Sequence, residues 1–279
     1  MSAPRLSARY RTAFVTGAST GLGRAFVEML LAEGVKVWGT SRDAARLAVV
    51  ASGRHAAAFT AVALDLRDGA AAEQIFLTAD RAAGGFDLVI NNAGYGIYGD
   101  FSATDFSEWR EQLDVMLVNT ACLSHAALHG MRARGRGALV NISSLAAEFP
   151  LPFQSAYNMA KAGLSALNES LMLELAGSGV VVIDFRPGDY RTDFEGSVRR
   201  PAGEMSPRMN RGWAAFERMM RSGPPPAHAA GAMRRALLRN RSGTVRCGRF
   251  FQAVIAPLIA RLGSLSLRRK IQARYFDVA

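Results

Sequence analysis

The stretch TAFVTGASTGLGRAFVEMLLAEG, residues 12 to 34, restricts the fold more than any other part of this 279-residue chain. A short apolar run meets a loop holding three glycines, and an amphipathic segment with helical spacing follows. The order reads as strand, tight turn, helix. Gly17, Gly21 and Gly23, with Ser19, Thr20 and Leu22 between them, allow a sharp turn and close approach of backbone to a pyrophosphate at the helix N-terminus. The letters from Gly17 to Gly21 also fit GxSxG, the nucleophile elbow of serine hydrolases. That elbow follows earlier strands, one of whose loops supplies an oxyanion N–H, and only one short strand precedes Ser19, so the dinucleotide reading is preferred.

The pattern continues. Further strands are expected at 35 to 40, 59 to 65, 86 to 91, 137 to 143 and 180 to 185, with helical segments at 43 to 51, 69 to 83, 105 to 133 and 155 to 177. Near-continuous apolar strands alternating with helices predict an α/β fold, a doubly wound parallel sheet of Rossmann-like type covered on both faces. Residues 12 to 192 carry this core. Residues 193 to 279 read as a helical C-terminal cap on the same domain, with a helix starting at Pro224 to Pro226, a short strand candidate at GTVRCG and a helix at 250 to 265. Residues 1 to 279 are thus expected to form one domain.

At the end of the second strand, dinucleotide folds place an acid for the ribose 2′-hydroxyl or an arginine for a 2′-phosphate. Here the letters are TSRD. Ser41 stands where the acid would fall and Arg42 follows, which favours NADP(H) over NAD(H), while Asp43 suits a helix cap. The 2′-phosphate contact and a plain surface role are the two readings of Arg42.

Among thirty-one arginines the chain has three lysines, Lys36, Lys161 and Lys270. One of them closes YNMAK, which on a helix stacks Tyr157 and Lys161 on one face. A cation one turn from a phenol stabilises the phenolate, and an arginine's broad fork suits that task less well. Taken together, TGASTGLG, Asp65, NNAG (91 to 94), Asn119, Ser144, YNMAK and RPGDYRT (186 to 192) resemble the short-chain dehydrogenase/reductase family over residues 12 to 192. The resemblance implies hydride transfer between a nicotinamide and a carbonyl or alcohol carbon, with Tyr157 as general acid/base, Lys161 tuning it and holding the nicotinamide ribose, and Ser144 bonding the substrate oxygen. It implies that Asn119 holds a water leading from Lys161 to solvent; a buried asparagine satisfied by backbone is the other reading. It also places Asp65 and Leu66 at the adenine, Asn92, Ala93 and Gly94 along the cofactor, and Pro187, Gly188 and Thr192 beside the nicotinamide amide. Tyr190 departs from the apolar residue usual there. Ser143 is expected to be structural.

Substrate choice is expected from the loop after Ser144 and the segment after Thr192, where Phe149, Leu151, Phe153, Tyr190, Phe194, Met205 and Met209 suit a moderately bulky apolar small molecule. The family resemblance implies a homodimer or homotetramer. A cofactor-binding regulatory or scaffold protein is the alternative, and the joint presence of Asn119, Ser144, Tyr157 and Lys161 argues for the enzyme.

Composition narrows the partners. The formal charge is +11, but the basic residues are spread along the chain without a basic-aromatic module, so nucleic acid is not expected. Cys122 and Cys247 lie far apart and suit free thiols in a reducing compartment. With no apolar run behind the N-terminal basic residues and no stretch of about 18 apolar residues, a cytoplasmic location is expected. His125 and His129 share a helix face but lack a third ligand, so no metal is expected. Phe251, Val254, Ile255, Leu258, Ile259 and Leu262 form a stripe ahead of Arg268, Arg269 and Lys270. Packing on the domain or on a partner subunit is its first reading, and peripheral membrane contact the second.

Overall fold

The computed structural model describes residues 5–200 and 205–279, and at residues 195 and 260–262 the backbone alone. Seven parallel strands form the sheet: β1 Thr12–Val15, β2 Lys36–Ser41, β3 Phe59–Ala63, β4 Leu88–Asn91, β5 Gly137–Ile142, β6 Val180–Pro187 and β7 Gly243–Cys247, in the order β3-β2-β1-β4-β5-β6-β7. The strand order reverses between β1 and β4. In open parallel sheets such a switch opens a crevice at the carboxyl ends of the strands, and this fixes where a ligand must sit.

Two cores explain why the strands are apolar on both sides. On one face, Phe26, Leu30, Met233 and Leu237 from α1 (Gly21–Ala32) and α7 (Pro226–Arg239) pack against Val15, Val37 and Ile183. On the other face, α2 (Gly69–Ala83), α4 (Asn119–Arg134) and α5 (Ser155–Glu174) supply Phe76, Leu123, Met131 and Ala160 against Phe14, Val89 and Leu139. The doubly wound architecture is as expected. Asp68 caps α2 by accepting from the Ala71 amide, and Gly84 ends it in the left-handed region at φ 71°.

Four features differ from the sequence expectation. The segment 105 to 133 is not one helix: α3 (Phe106–Leu113) passes through a π-helical turn, Asp114–Val118, into α4. The C-terminal third is not all cap, because α7 and β7 return to the sheet, β7 pairing with β6 from Ile183–Gly243 to Pro187–Cys247. The 250 to 265 helix is a π-helical turn, Phe251–Ile255, then α8 (Ala256–Leu262), a break at Gly263 and α9 (Leu265–Tyr275). A helix α6, Pro207–Arg221, also forms where no element had been expected, begun by Ser206 accepting from the Met209 amide and by Pro207 in the first turn.

Candidate active site

The crevice at the switch point is a cavity of about 600 Å³. Its floor is the Gly-rich loop. Gly17 and Gly21 sit at φ 67° and 55°, a region open to glycine but costly to other residues. Gly23 lies beneath, where a Cβ would stand 2.1 Å from the Gly17 carbonyl oxygen. The loop is clamped from β4: Thr16 Oγ1 accepts from the amides of Asn92 and Ala93 at 2.9 and 3.0 Å, and Asn92 Nδ2 donates to the Thr16 and Gly17 carbonyls. Asn92 therefore shapes the loop with its amide while lining the cavity.

At one end of the cavity, Ser41 and Arg42 are joined by Arg46 and Arg67. Arg67 also holds Asp65 at 2.6 Å, and its hydrogen bond keeps that carboxyl below the usual carboxylate range. Asp43 caps the turn after β2 by accepting from the Ala45 amide at 2.9 Å. Leu66, Ala93 and Gly94 continue the wall toward the middle.

Deeper in, Tyr157, Lys161 and Ser144 come together with Pro187, Gly188 and Thr192. Lys161 Nζ lies over the Tyr157 ring, 5.7 Å from its centroid, and donates to the Ile142 carbonyl at 2.7 Å. Burial pushes this ammonium down to about 8, opposed by the charge of Asp184. Burial pushes the Tyr157 phenol up to about 12; its hydrogen bond with Ser144 opposes the rise and the charge of Asp189 adds to it. At neutral pH the phenol thus carries its proton and the lysine remains mostly charged. Ser144 Oγ accepts from the Ala146 amide at 3.0 Å, which leaves its own hydrogen for an oxygen beside Tyr157.

Asn119 does not enter the cavity. It begins α4 after the π-helical turn, and its Nδ2 donates to the Leu66 carbonyl at 2.7 Å, the backbone-satisfied alternative. Ser143 lies behind Ser144, donating to Asp184 and Phe185. Tyr190 also lines the cavity, though it is almost wholly buried, with its hydroxyl 2.9 Å from His228 Nδ1. Of the apolar residues expected around a substrate, Phe149, Leu151 and Phe194 line the cavity, whereas Phe153, Met205 and Met209 pack with Tyr98 and Trp213. Their places are taken by Phe216 and Met220 of α6 and by Ile259, Ile271 and Phe276 near the C-terminus.

The family model described as short chain dehydrogenase matches residues 11–203. The chain belongs to the short-chain dehydrogenase family. An uncharacterized oxidoreductase of Schizosaccharomyces pombe is 33% identical over 194 residues, 69% of this chain and 65% of that protein, so the match spans just under two thirds of that relative's length. A Haemophilus influenzae relative described as a probable NADP-dependent dehydrogenase is 32% identical over 180 residues, covering 63% of this chain and 70% of that protein. The crystal structure of a short-chain dehydrogenase from Streptomyces avermitilis superposes with a TM-score of 0.83 at 30% identity, covering 94% of this chain and 96% of that one.

As in other members of this oxidoreductase family, a nicotinamide dinucleotide is the group to test against the site, and the residues fit it. The loop backbone is cradled so closely that a Cβ at Gly17 would meet the Ala93 Cα at 2.9 Å, which keeps the loop flat enough for a pyrophosphate. Arg46 and Arg67 were missed from the sequence. The signal was present in their spacing, one helical turn after Arg42 and two residues after Asp65, but only the pairing of β2 with β3 brings them together.

Proposed function

We propose that the protein is an NADP(H)-dependent oxidoreductase that interconverts a carbonyl and a hydroxyl on a moderately bulky apolar small molecule. The observation that carries this reading is that Ser144 and Tyr157 line one cavity with the Lys161 ammonium over the Tyr157 ring, 5.7 Å from its centroid. When bound, the nicotinamide supplies the hydride. Tyr157, protonated at neutral pH, gives its proton to the oxygen on which charge develops. Ser144 donates to that same oxygen, and the two donors are in place before the reaction, so little reorganisation opposes it. Lys161 stabilises the phenolate left behind. Asn119 acts as a positioning residue, tying the start of α4 to the loop after β3. The apolar wall of Leu145, Phe149 and Phe194 suits a substrate with little polar surface.

Turnover of NADPH against a panel of ketones and aldehydes tests this, with Tyr157→Phe as control. We expect the variant to fold, to bind NADPH and to lose about a hundredfold or more in kcat. Absence of turnover on every compound, with NADPH still bound, would favour the scaffold alternative.

The arginines beside Ser41 support the choice of NADP(H), as does the relative described as NADP-dependent. No carboxylate stands at Ser41 to repel a 2′-phosphate. Arg42→Ala should raise KM for NADPH about tenfold, the value of one charge-assisted hydrogen bond, and leave KM for NADH nearly unchanged. Equal effects on both cofactors would show that Arg42 does not read the phosphate.

A further inference from the structure

The charge of this chain is concentrated. From Arg218 to Phe276 the sequence holds thirteen Lys and Arg residues and no Asp or Glu, although the net charge of the whole chain is +11. The rest of the protein is therefore slightly acidic, and the excess belongs to a segment that ends in the π-helical turn, α8 and α9.

Those last elements are apolar on two sides. Inward, Ala256, Ile259 and Ile271 line the cavity. Outward, Phe250 is 72% exposed, Leu265 58% and Leu258 53%, with Val254 and Leu267 also exposed. The side chain of Leu262, the last member of the expected stripe, lies outside the described residues. A helix apolar all round is ordinarily covered on every side, so these outward residues form a face lacking its cover. The π-helical turn accounts for the split: one extra residue in the turn shifts the phase of the stripe, so that Ile259 faces the cavity while Val254 and Leu258 face out.

Arg269, Lys270 and Arg274 on α9 stand exposed beside this face and form no salt bridge among the described residues. The helix is fixed to the body of the protein by Arg268, which donates to the Glu148 carbonyl at 2.8 Å, and by Gln272, which donates to the Pro150 carbonyl at 3.2 Å. It therefore presents its basic residues in one orientation.

We propose that this face docks on an anionic lipid bilayer, the apolar side chains entering the acyl boundary and the basic ones meeting the headgroups. Charge decides between lipid and a second copy. A two-fold contact would bring the same patch against itself, setting Arg269 and Lys270 near their own counterparts with no acid between Glu217 and Asp277 to offset them. An anionic surface matches both the charge and the apolar area. No described helix is long and apolar enough to cross a membrane, so the contact is peripheral. Phe251 and Tyr275 both line the cavity and are exposed, which makes the cavity wall continuous with the docking face. If the reductase reading holds, on which this last step rests, the substrate class is a membrane-dissolved carbonyl or alcohol.

The test is flotation of the full chain with vesicles of phosphatidylglycerol and phosphatidylcholine, against phosphatidylcholine alone, at low and high salt. The protein should float with the anionic vesicles and be released by salt. Phe250→Ser/Leu258→Ser and Arg269→Glu/Lys270→Glu should each lower the bound fraction about tenfold or more, while turnover of a water-soluble carbonyl and the melting temperature stay at wild-type values. Wild-type protein that remains at the bottom with anionic vesicles overturns the proposal. So does flotation that both variants retain. An oligomer seen by light scattering, split by Phe250→Ser/Leu258→Ser and without flotation, assigns the face to a second copy instead. Flotation without turnover leaves the docking face standing and removes the reductase reading.

Discussion

Replacing Lys161 with methionine is expected to give a protein that melts at a higher temperature and turns over about a thousandfold more slowly. The two effects share one cause. Lys161 is 5% exposed, and burial holds its ammonium at about 8 against an ordinary 10.5. The folded chain therefore binds this proton less tightly than the unfolded chain does. Stability rises with pH between those two values, and below about 8 the whole cost of the buried cation is present, about 3 kcal/mol. The hydrogen bond to the Ile142 carbonyl returns about 1 kcal/mol of it. Methionine removes both, for a net gain of about 1 to 2 kcal/mol at pH 7, or several degrees. Differential scanning calorimetry at pH 7 and pH 10 checks the sign, since the variant's advantage must shrink as the wild-type lysine loses its charge. Carbonyl reduction by the wild type should also decline as pH rises through about 8, because a neutral lysine no longer stabilises the phenolate of Tyr157. A variant that melts lower at pH 7, or a reduction rate flat from pH 7 to 9, would remove Lys161 from this role.

What could be read in the letters, and what could not, follows from how local each requirement is. Gly17 and Gly21 hold backbone angles that only glycine adopts easily, so their spacing carried the loop directly. Tyr157 and Lys161 are four apart on α5, where the helix repeat alone brings them to one face. The cavity wall was less legible. Phe149 and Phe153 belong to the same loop, but Phe153 takes φ 61° and turns to Tyr98, 5.5 Å between ring centroids, while Phe149 stays in the cavity. Apolar letters in a loop specify burial and leave open which cavity receives them. The C-terminal stripe was ambiguous for a related reason. An apolar run of that length fits one helix or a π-helical turn with two shorter helices, and only the packing of Ile259 and Ile271 into the cavity selects the second. Least legible was a chain of buried polar side chains behind the active site, because each member looks like punctuation in an apolar strand or helix.

Arg186→Met, which breaks that chain at its charged end, is expected to cost about 3 to 5 kcal/mol of stability. Asn91 Nδ2 donates to Asn141 at 2.9 Å, Asn141 to Asn168 at 2.7 Å, and Asn168 to Asp184 at 3.2 Å. Asp184 is fully buried, and Arg186 Nε donates to its other oxygen at 2.6 Å. The same guanidinium reaches Glu148 at 2.6 Å and the exposed Glu169 at 3.0 Å. Without Arg186, Asp184 would keep hydrogen bonds from Ser143 and Asn168 and the field of the Lys161 ammonium but no cation in direct contact, and a buried carboxylate without such a partner is far costlier than a lost surface pair. Glu148 would suffer less, since Arg246 also holds it at 2.7 Å. The double variant Asp184→Asn/Arg186→Met should therefore be more stable than the sum of the two single losses by about 1 to 3 kcal/mol, because it removes the stranded charge together with its partner. Urea unfolding of the four proteins measures this coupling. Losses that simply add, or an Arg186→Met cost below about 1 kcal/mol, would mean that the pair contributes little. The consequence reaches the end of the cavity lined by Tyr157: Ser143, bonded to Asp184, immediately precedes Ser144, and Glu148, bonded to Arg186, follows it by four residues, so the charged pair holds both ends of the loop that carries Ser144.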